Sequence, residues 1–173
     1  MSRYLFHSDR DSSKSWYDTA QVCLNGHMIN ASMKKSPQFN KNFCDRCGAK
    51  TITNCPGCNN DIQGKYHVQG VFSVSTTQAS AYCQSCGNAF PWTETAIKTA
   101  KELAQEMEDL SSEDKNTLST SIEELIKENP KTTLAATRFK KVVAKTGKTT
   151  ADGFRSILIN IVSETAKKII WPD

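Results

Sequence analysis

Seven cysteines and one histidine fall into four close pairs between residues 23 and 86. In chain order, the pairs are Cys23/His27, Cys44/Cys47, Cys55/Cys58 and Cys83/Cys86. Thiolate sulfur and imidazole nitrogen are ligands that zinc prefers, and a structural zinc ion takes four of them in a tetrahedron. Eight such side chains therefore predict two structural zinc sites, with Zn²⁺ as the cofactor.

The residues inside and just after the pairs favour tight turns. Asn25-Gly26 is typical of a turn that brings the histidine of the first pair back beside its cysteine. Pro56-Gly57 pre-forms a turn within the third pair. Gly48 and Gly87 directly follow the second and fourth pairs, where a positive φ lets backbone amides approach the sulfurs. Both members of a pair can then face one ion.

Two alternatives to zinc are weaker. A disulfide framework uses cysteines in even numbers, whereas this chain has seven. Neighbours two residues apart form strained disulfides, and no segment is typical of a secretory signal peptide. An iron–sulfur cluster takes cysteine ligands, so His27 argues against a cluster at the first site.

The sequence does not fix which pairs share an ion. We favour the sequential arrangement, in which the first two pairs form one site and the last two form the other, because strand-like segments flank the turns. A cross-braced arrangement joins the first pair to the third and the second to the fourth, and a nested one is the third option. In each case four side chains fill each site, which is typical of a structural rather than a catalytic ion.

The elements around the pairs predict an α+β fold. We expect an N-terminal tail over residues 1–20 and a double zinc-ribbon domain over residues 21–93, with small antiparallel β-hairpins on the two zinc sites. Residues 94–173 are expected to form a helical domain of three to four helices. Its apolar stripes are typical of a core or of an oligomer interface.

Local signals place the strands, loops and helix starts. Strands are expected from Gln21 into the first turn and over Ala49–Thr53, with a loop over residues 30–42. Residues 62–82 are strands of the second ribbon or an insertion between its halves, residues 75–81 are a flexible loop, and His67 is not a ligand. Pro91 is expected to end a strand, and Trp92 to cover the ribbon. The expected helix caps are Ser111 or Ser112, Thr132 or Thr133, and Asp152, with Gly147 ending the third helix.

Burial alone cannot fold the segment between Asn30 and Asp61. Its large apolar side chains are Met33, Phe39, Phe43 and Ile52. Each stabilises the fold by about 1.5–3 kcal/mol when buried, whereas ordering one residue costs roughly 1–2 kcal/mol. A structural zinc ion contributes on the order of 10 kcal/mol or more. We therefore predict that metal removal unfolds residues 21–93.

The middle of the chain resembles an uncharacterised bacterial zinc-ribbon family, domain of unknown function 2321. The resemblance covers roughly residues 16–110 and lies in Val22–His27, Phe43–Ile52, Cys55–Cys58, Tyr82–Gly87 and Phe90–Thr93. It implies zinc binding and a helical C-terminal region. It implies no activity, because the family has none assigned.

Composition limits the classes of function. The net charge is +4, which permits nucleic-acid binding without requiring it. No apolar run approaches the roughly 18 residues of a membrane span. Free or zinc-bound thiols indicate a reducing compartment, so we expect a cytoplasmic protein that binds no membrane.

The sequence favours a non-enzymatic adaptor or regulatory protein that binds a protein partner, with self-association through the helices as a further expectation. We find no catalytic triad, nucleotide loop or open zinc site. The alternative is a nucleic-acid-binding protein with basic patches. These patches comprise Lys34, Lys35, Lys41, Arg46, Lys50 and Lys65 around the ribbons, and Arg138, Lys140, Lys141, Lys145 and Lys148 on the helices.

Overall fold

The computed structural model describes residues 15–68 and 78–172. The described strands are β1 (Ser15–Thr19), β2 (Gln21–Cys23), β3 (Met28–Asn30), β4 (Thr51–Ile52) and β5 (Gln63–Val68). The described helices are α1 (Pro91–Gln105), α2 (Ser112–Leu125), α3 (Thr132–Val143), α4 (Lys148–Leu158) and α5 (Glu164–Ile170), with a short 3-10 turn over Pro37–Phe39. Small antiparallel sheets followed by helices confirm the predicted α+β class.

Two small sheets form the N-terminal half. β2 lies between β3 and β4, so that Val22 stands opposite both Met28 and Ile52. Val22 is fully buried, because its side chain points from the central strand into the core. β1 and β5 form a separate antiparallel pair.

The predicted tail is wrong for Ser15–Thr19, which is strand β1. Trp16 stands opposite His67 and Tyr17 opposite Tyr66, so each aromatic residue of β1 has a ring as its cross-strand neighbour. Such cross-strand pairs stabilise the strand. Residues 1–14 of the predicted tail lie outside the described residues.

Residues 62–68 belong to an insertion between the halves of the second ribbon, because β5 pairs with β1. Single bridges close the turns of the second site, from Asn54 to Asp61 and from Tyr82 to Ala89. The predicted strands of the second ribbon are therefore reduced to bridges in the described part of the chain. Residues 69–77, which include residues 75–77 of the predicted flexible loop, lie outside the described residues.

Helix α1 begins at Pro91, so the prediction that this proline ends a strand is wrong. The domain boundary predicted after residue 93 also falls inside α1. Proline suits the first turn of a helix, since its fixed φ is helical and its missing N–H is not needed there. Trp92 Nε1 donates to the Ser80 carbonyl oxygen at 2.9 Å, and Thr93 Oγ1 donates to that of Ala81 at 2.8 Å.

The helical region contains five described helices rather than three to four. Ser111 caps α2 as predicted, with its hydroxyl oxygen accepting from the Asp114 N–H. The last predicted helix is divided in two, because Ser163 caps α5 and leaves an irregular turn after α4. Gly147 precedes α4 instead of ending α3. Thr132 is a buried residue of the first turn of α3, and Lys131 occupies the cap position.

One hydrophobic core joins the two halves. Val22 and Cys55 belong to the same cluster of buried side chains as Trp92, Leu118 and Phe139. α1 therefore continues the core of the metal-binding half into the helical region. None of the helices in the described ranges is both long enough and apolar enough to cross a membrane.

Candidate metal centres

The eight predicted ligand side chains come together in two groups of four. The first site contains Cys23, His27, Cys44 and Cys47, and the second contains Cys55, Cys58, Cys83 and Cys86. Within each group, the ligand atoms all lie within 4.8 Å of one another. This is the sequential arrangement, and the cross-braced and nested arrangements do not occur.

Distances at the first site match the edges of a zinc tetrahedron. The Cys23 and Cys47 sulfurs are 3.8 Å apart, and His27 Nδ1 lies 3.6 Å from Cys23 Sγ and 3.5 Å from Cys44 Sγ. Tetrahedral zinc with ordinary bond lengths predicts edges of about 3.8 Å between sulfurs and about 3.6 Å between sulfur and nitrogen. His27 therefore presents Nδ1 as its metal-facing atom.

The second site has the same dimensions. The Cys55 and Cys86 sulfurs are 3.8 Å apart, and those of Cys58 and Cys83 are 3.7 Å apart. Sulfur atoms in a disulfide are about 2.05 Å apart, and all seven cysteines are unpaired thiols. The four sulfurs surround a volume that fits one tetrahedral ion.

Three of the four pairs share one turn geometry. The carbonyl oxygen of Cys44 accepts from the N–H four residues later at 2.8 Å, and the same bond starts at Cys55 (2.8 Å) and Cys83 (2.9 Å). Each of these turns ends in a residue with positive φ: Gly48, Asn59 or Gly87. The first pair is tighter, with the Gly26 N–H donating to the Cys23 carbonyl oxygen at 2.9 Å.

The third turn contains a left-handed residue that the sequence analysis did not identify. Its left-handed residue is Asn59, at φ 59°, and not Gly57. Asparagine tolerates this region better than other side chains, which is the signal that sequence reasoning missed. Gly57 has a steric role, because a β-carbon at this position would lie 2.7 Å from Asn88 Nδ2. The turns of the third and fourth pairs therefore approach each other directly.

The ligands within each pair differ in burial. The first member of every pair is buried, namely Cys23, Cys44, Cys55 and Cys83. The second member is partly or fully exposed, as Cys47 and Cys86 illustrate. Each site thus lies at the edge of the fold, with two sulfurs anchored towards the interior.

Hydrogen bonds to sulfur favour the thiolate form that binds metal. A hydrogen bond from the Ala49 backbone to the sulfur lowers the pKa of Cys47 to about 6. Backbone hydrogen bonds from Ser85 and Cys86 lower the pKa of Cys83 to about 6. Burial, in contrast, raises the pKa of Cys23. At each site, hydrogen bonding therefore favours the thiolate form of one cysteine.

Two asparagine side chains add donors that sequence reasoning missed. Asn25 Nδ2 lies 3.4 Å from Cys47 Sγ, and Asn60 Nδ2 lies 3.5 Å from Cys58 Sγ. Such contacts orient ligands and stabilise their negative charge. Both asparagines stand within two residues of a cysteine, so their position next to a ligand turn was the available signal.

His67, which the sequence analysis excluded from the ligand set, lies in neither group. It is buried against β1, where its Nε2 is 3.6 Å from Asp18 Oδ2 and 3.4 Å from Ser32 Oγ. Its ring stacks on Trp16.

Comparison with known proteins gives one family match. The profile of the family described as "Uncharacterized protein conserved in bacteria (DUF2321)" matches residues 16–170. This match extends beyond the residues 16–110 of the sequence resemblance and includes the helical region. No curated protein and no solved structure matches the chain. Because the family profile covers most of its length, the chain belongs to this uncharacterised bacterial family.

Proposed function

We propose that this chain is a non-enzymatic zinc protein, in which two structural zinc ions hold a binding surface in shape beside a helical region. The two closed groups of four ligands carry this proposal. Their dimensions fit tetrahedral zinc, and their ligand types, three sulfurs with one nitrogen and four sulfurs, are those of structural zinc sites. The biological role would be that of an adaptor or regulatory subunit.

The distribution of burial supports a structural role for the ions. Between residues 31 and 54, the only buried residue is Cys44. Phe39 and Phe43, the two largest apolar side chains of that segment, are 61% and 63% exposed. Their burial cannot offset the conformational entropy of ordering this segment. Metal–ligand bonds supply the missing stabilisation.

The closed sites also support a non-enzymatic role. A catalytic zinc ion keeps one position for water or substrate, whereas these groups offer four side chains each. X-ray absorption at the zinc edge tests this point. We expect sulfur and nitrogen scatterers only, with four ligands per ion on average. A coordinated water oxygen would contradict a purely structural role.

A groove between α2 and α3 supports a protein partner for the helical region. It has a volume of about 1160 Å³ and is lined by Leu134, Arg138 and Lys141 on the α3 side. Leu134 is 52% exposed. We expect recovery of a protein partner with the native chain from a reducing, cytoplasmic extract. Light scattering tests self-association through the same helices.

Metal analysis tests the proposed function directly. We expect about two zinc equivalents per chain, and loss of the N-terminal fold when a chelator removes them. Hydrogen exchange should then increase across residues 21–68. Fewer than about two equivalents, or unchanged exchange after zinc removal, would contradict the proposal.

A further inference from the structure

Large apolar side chains are exposed mainly on the metal-binding half. Seven such side chains are exposed in the described residues, and six of them lie before residue 70. They are Trp16, Tyr17, Leu24, Phe39, Phe43 and Tyr66. Five of the six are aromatic, and an exposed aromatic ring can stack on a planar ligand.

The same half contains basic side chains that have no ion-pair partner among the described residues. Its three described carboxylates are all engaged, because Asp18 is buried, Asp45 pairs with Lys41, and Asp61 pairs with Lys34. Four cations have no carboxylate partner in the described ranges. They are Lys35, Arg46, Lys50 and Lys65. These four side chains are available to pair with an anionic ligand.

The Trp16 ring is held by contacts with His67 and Lys35. One side of the indole stacks on His67, with ring centroids 5.2 Å apart and an angle of 24° between the planes. Lys35 Nζ lies over the Trp16 ring, 5.9 Å from its centroid. Trp16 still has 46% of its surface exposed. A base can stack on this ring once the long side chain of Lys35 moves aside, and the ammonium group is then close enough to contact the phosphate.

A buried carboxylate holds the backbone of Lys35 in place. Asp18 Oδ2 accepts from the Lys35 N–H at 3.1 Å, and Asp18 Oδ1 accepts from the Lys34 N–H at 3.0 Å. Lys65 lies beside the same loop, since its N–H donates to the Ala31 carbonyl oxygen at 2.6 Å. The positions of these lysines are thus fixed in the backbone before any ligand binds, which lowers the entropic cost of binding.

We infer that Trp16, Lys35 and Lys65, here named the Trp16 surface, bind single-stranded nucleic acid, with a base stacked on Trp16 and phosphates at the two lysines. A single strand is favoured over a duplex because its bases are free to stack on a ring. An acidic protein segment would satisfy the lysines but would leave the planar face of Trp16 without a stacking partner. The inference rests on the proposed zinc-structured half, whose fold presents this surface.

Fluorescence anisotropy of the zinc-loaded full chain with labelled twenty-nucleotide dT and rU strands tests the inference. We expect binding that weakens with salt, and a preference between the two strands distinguishes DNA from RNA. Trp16→Ala should weaken binding about tenfold, since stacking on a ring contributes roughly 1–3 kcal/mol per base. Trp16→Phe, which keeps a ring, should bind nearly as well as the wild type.

The lysines have a matched charge control. Replacing Lys35 and Lys65 with alanine should reduce the slope of log affinity against log salt by about 1.4, because each contact with a single strand contributes about 0.7. Lys148 and Lys168, exposed cations of the helical region, give a double variant of equal net charge that should retain the wild-type slope. Phe39→Ala is the aromatic control and should bind normally.

Three results would overturn the inference. They are the absence of salt-sensitive binding to either strand, equal losses in Trp16→Ala and Phe39→Ala, and binding of polyglutamate that is as tight as that of the strands. Zinc content measured on the same samples separates this inference from the proposed function. If zinc-loaded protein binds neither strand, the proposed binding at the Trp16 surface is refuted and the proposed function stands. If zinc-free protein still shows binding that depends on Trp16, only the structural role of zinc is refuted.

Discussion

Gly26 packs directly against Trp92. A β-carbon at Gly26 would lie 3.0 Å from both Cβ and Cγ of Trp92, and the glycine itself has a φ of +81°. Gly26 belongs to the turn of the first metal site, whereas Trp92 lies in the first turn of α1, just after the second site. The two metal sites and the helical region therefore meet at this contact.

Alanine substitutions at three glycines should separate backbone strain from this contact. Gly147→Ala should change stability little, because its φ is ordinary and the space around it is open. Gly48→Ala should cost about 1 kcal/mol, since only its positive φ is unfavourable for alanine. Gly26→Ala should cost more, about 2–4 kcal/mol, because strain and overpacking add. Urea unfolding of the zinc-loaded proteins gives the three values, and equal losses at Gly26 and Gly48 would argue against the Trp92 contact.

Thr93→Val should destabilise the junction between the second site and α1 by about 1 kcal/mol, because the Ala81 carbonyl oxygen loses one of two donors and keeps only the Phe90 N–H. Thr93 is fully buried, so valine keeps the volume and removes only the hydroxyl. Thr137→Val is the control. Its hydroxyl bonds to the Thr133 carbonyl oxygen on an exposed part of α3, and thermal unfolding should show little change.

Asp18→Asn should loosen the loop over residues 31–36, because the new amide N–H groups face backbone donors. A loss of about 1–3 kcal/mol is expected for leaving such groups unsatisfied. Asp45→Asn, which removes an exposed ion pair with Lys41, should cost less than about 1 kcal/mol. Hydrogen exchange at Lys34 and Lys35 gives the local readout, and unchanged protection there would show that Asp18 does not position them.

Zinc affinity should fall as the pH decreases, because protons compete with the ion for thiolates. The pKa values of Cys47 and Cys83 are lowered to about 6, so each remains a thiolate above that pH and is protonated below it. The slope of log affinity against pH should therefore be steeper below about pH 6 than above it, by about one proton per site. Competition with a chromogenic chelator between pH 5 and pH 8 measures the slope. A constant slope over this range would contradict the lowered pKa values.

The ligand groups were predictable because their signal is local. Two ligands on one tight turn are visible in five residues, and the cap Ser111 is likewise read from its neighbours. The strand β1 was missed because its stabilising partners, His67 and Tyr66, lie about fifty residues away in sequence. Pro91 was misread because proline both ends strands and starts helices. The sequence also did not show that the turns of the second site would be closed by single bridges instead of strands.

The pairing of Ser15 with Val68 at the end of the β1–β5 ribbon has a practical consequence for purification. An N-terminal affinity tag is connected through residues 1–14 to β1, the strand that carries the Trp16 indole, and it adds charges of its own to the measurement. A tag at the other terminus follows α5, in a different part of the molecule. Binding measurements are therefore best made with a C-terminal tag, or after an N-terminal tag has been cleaved.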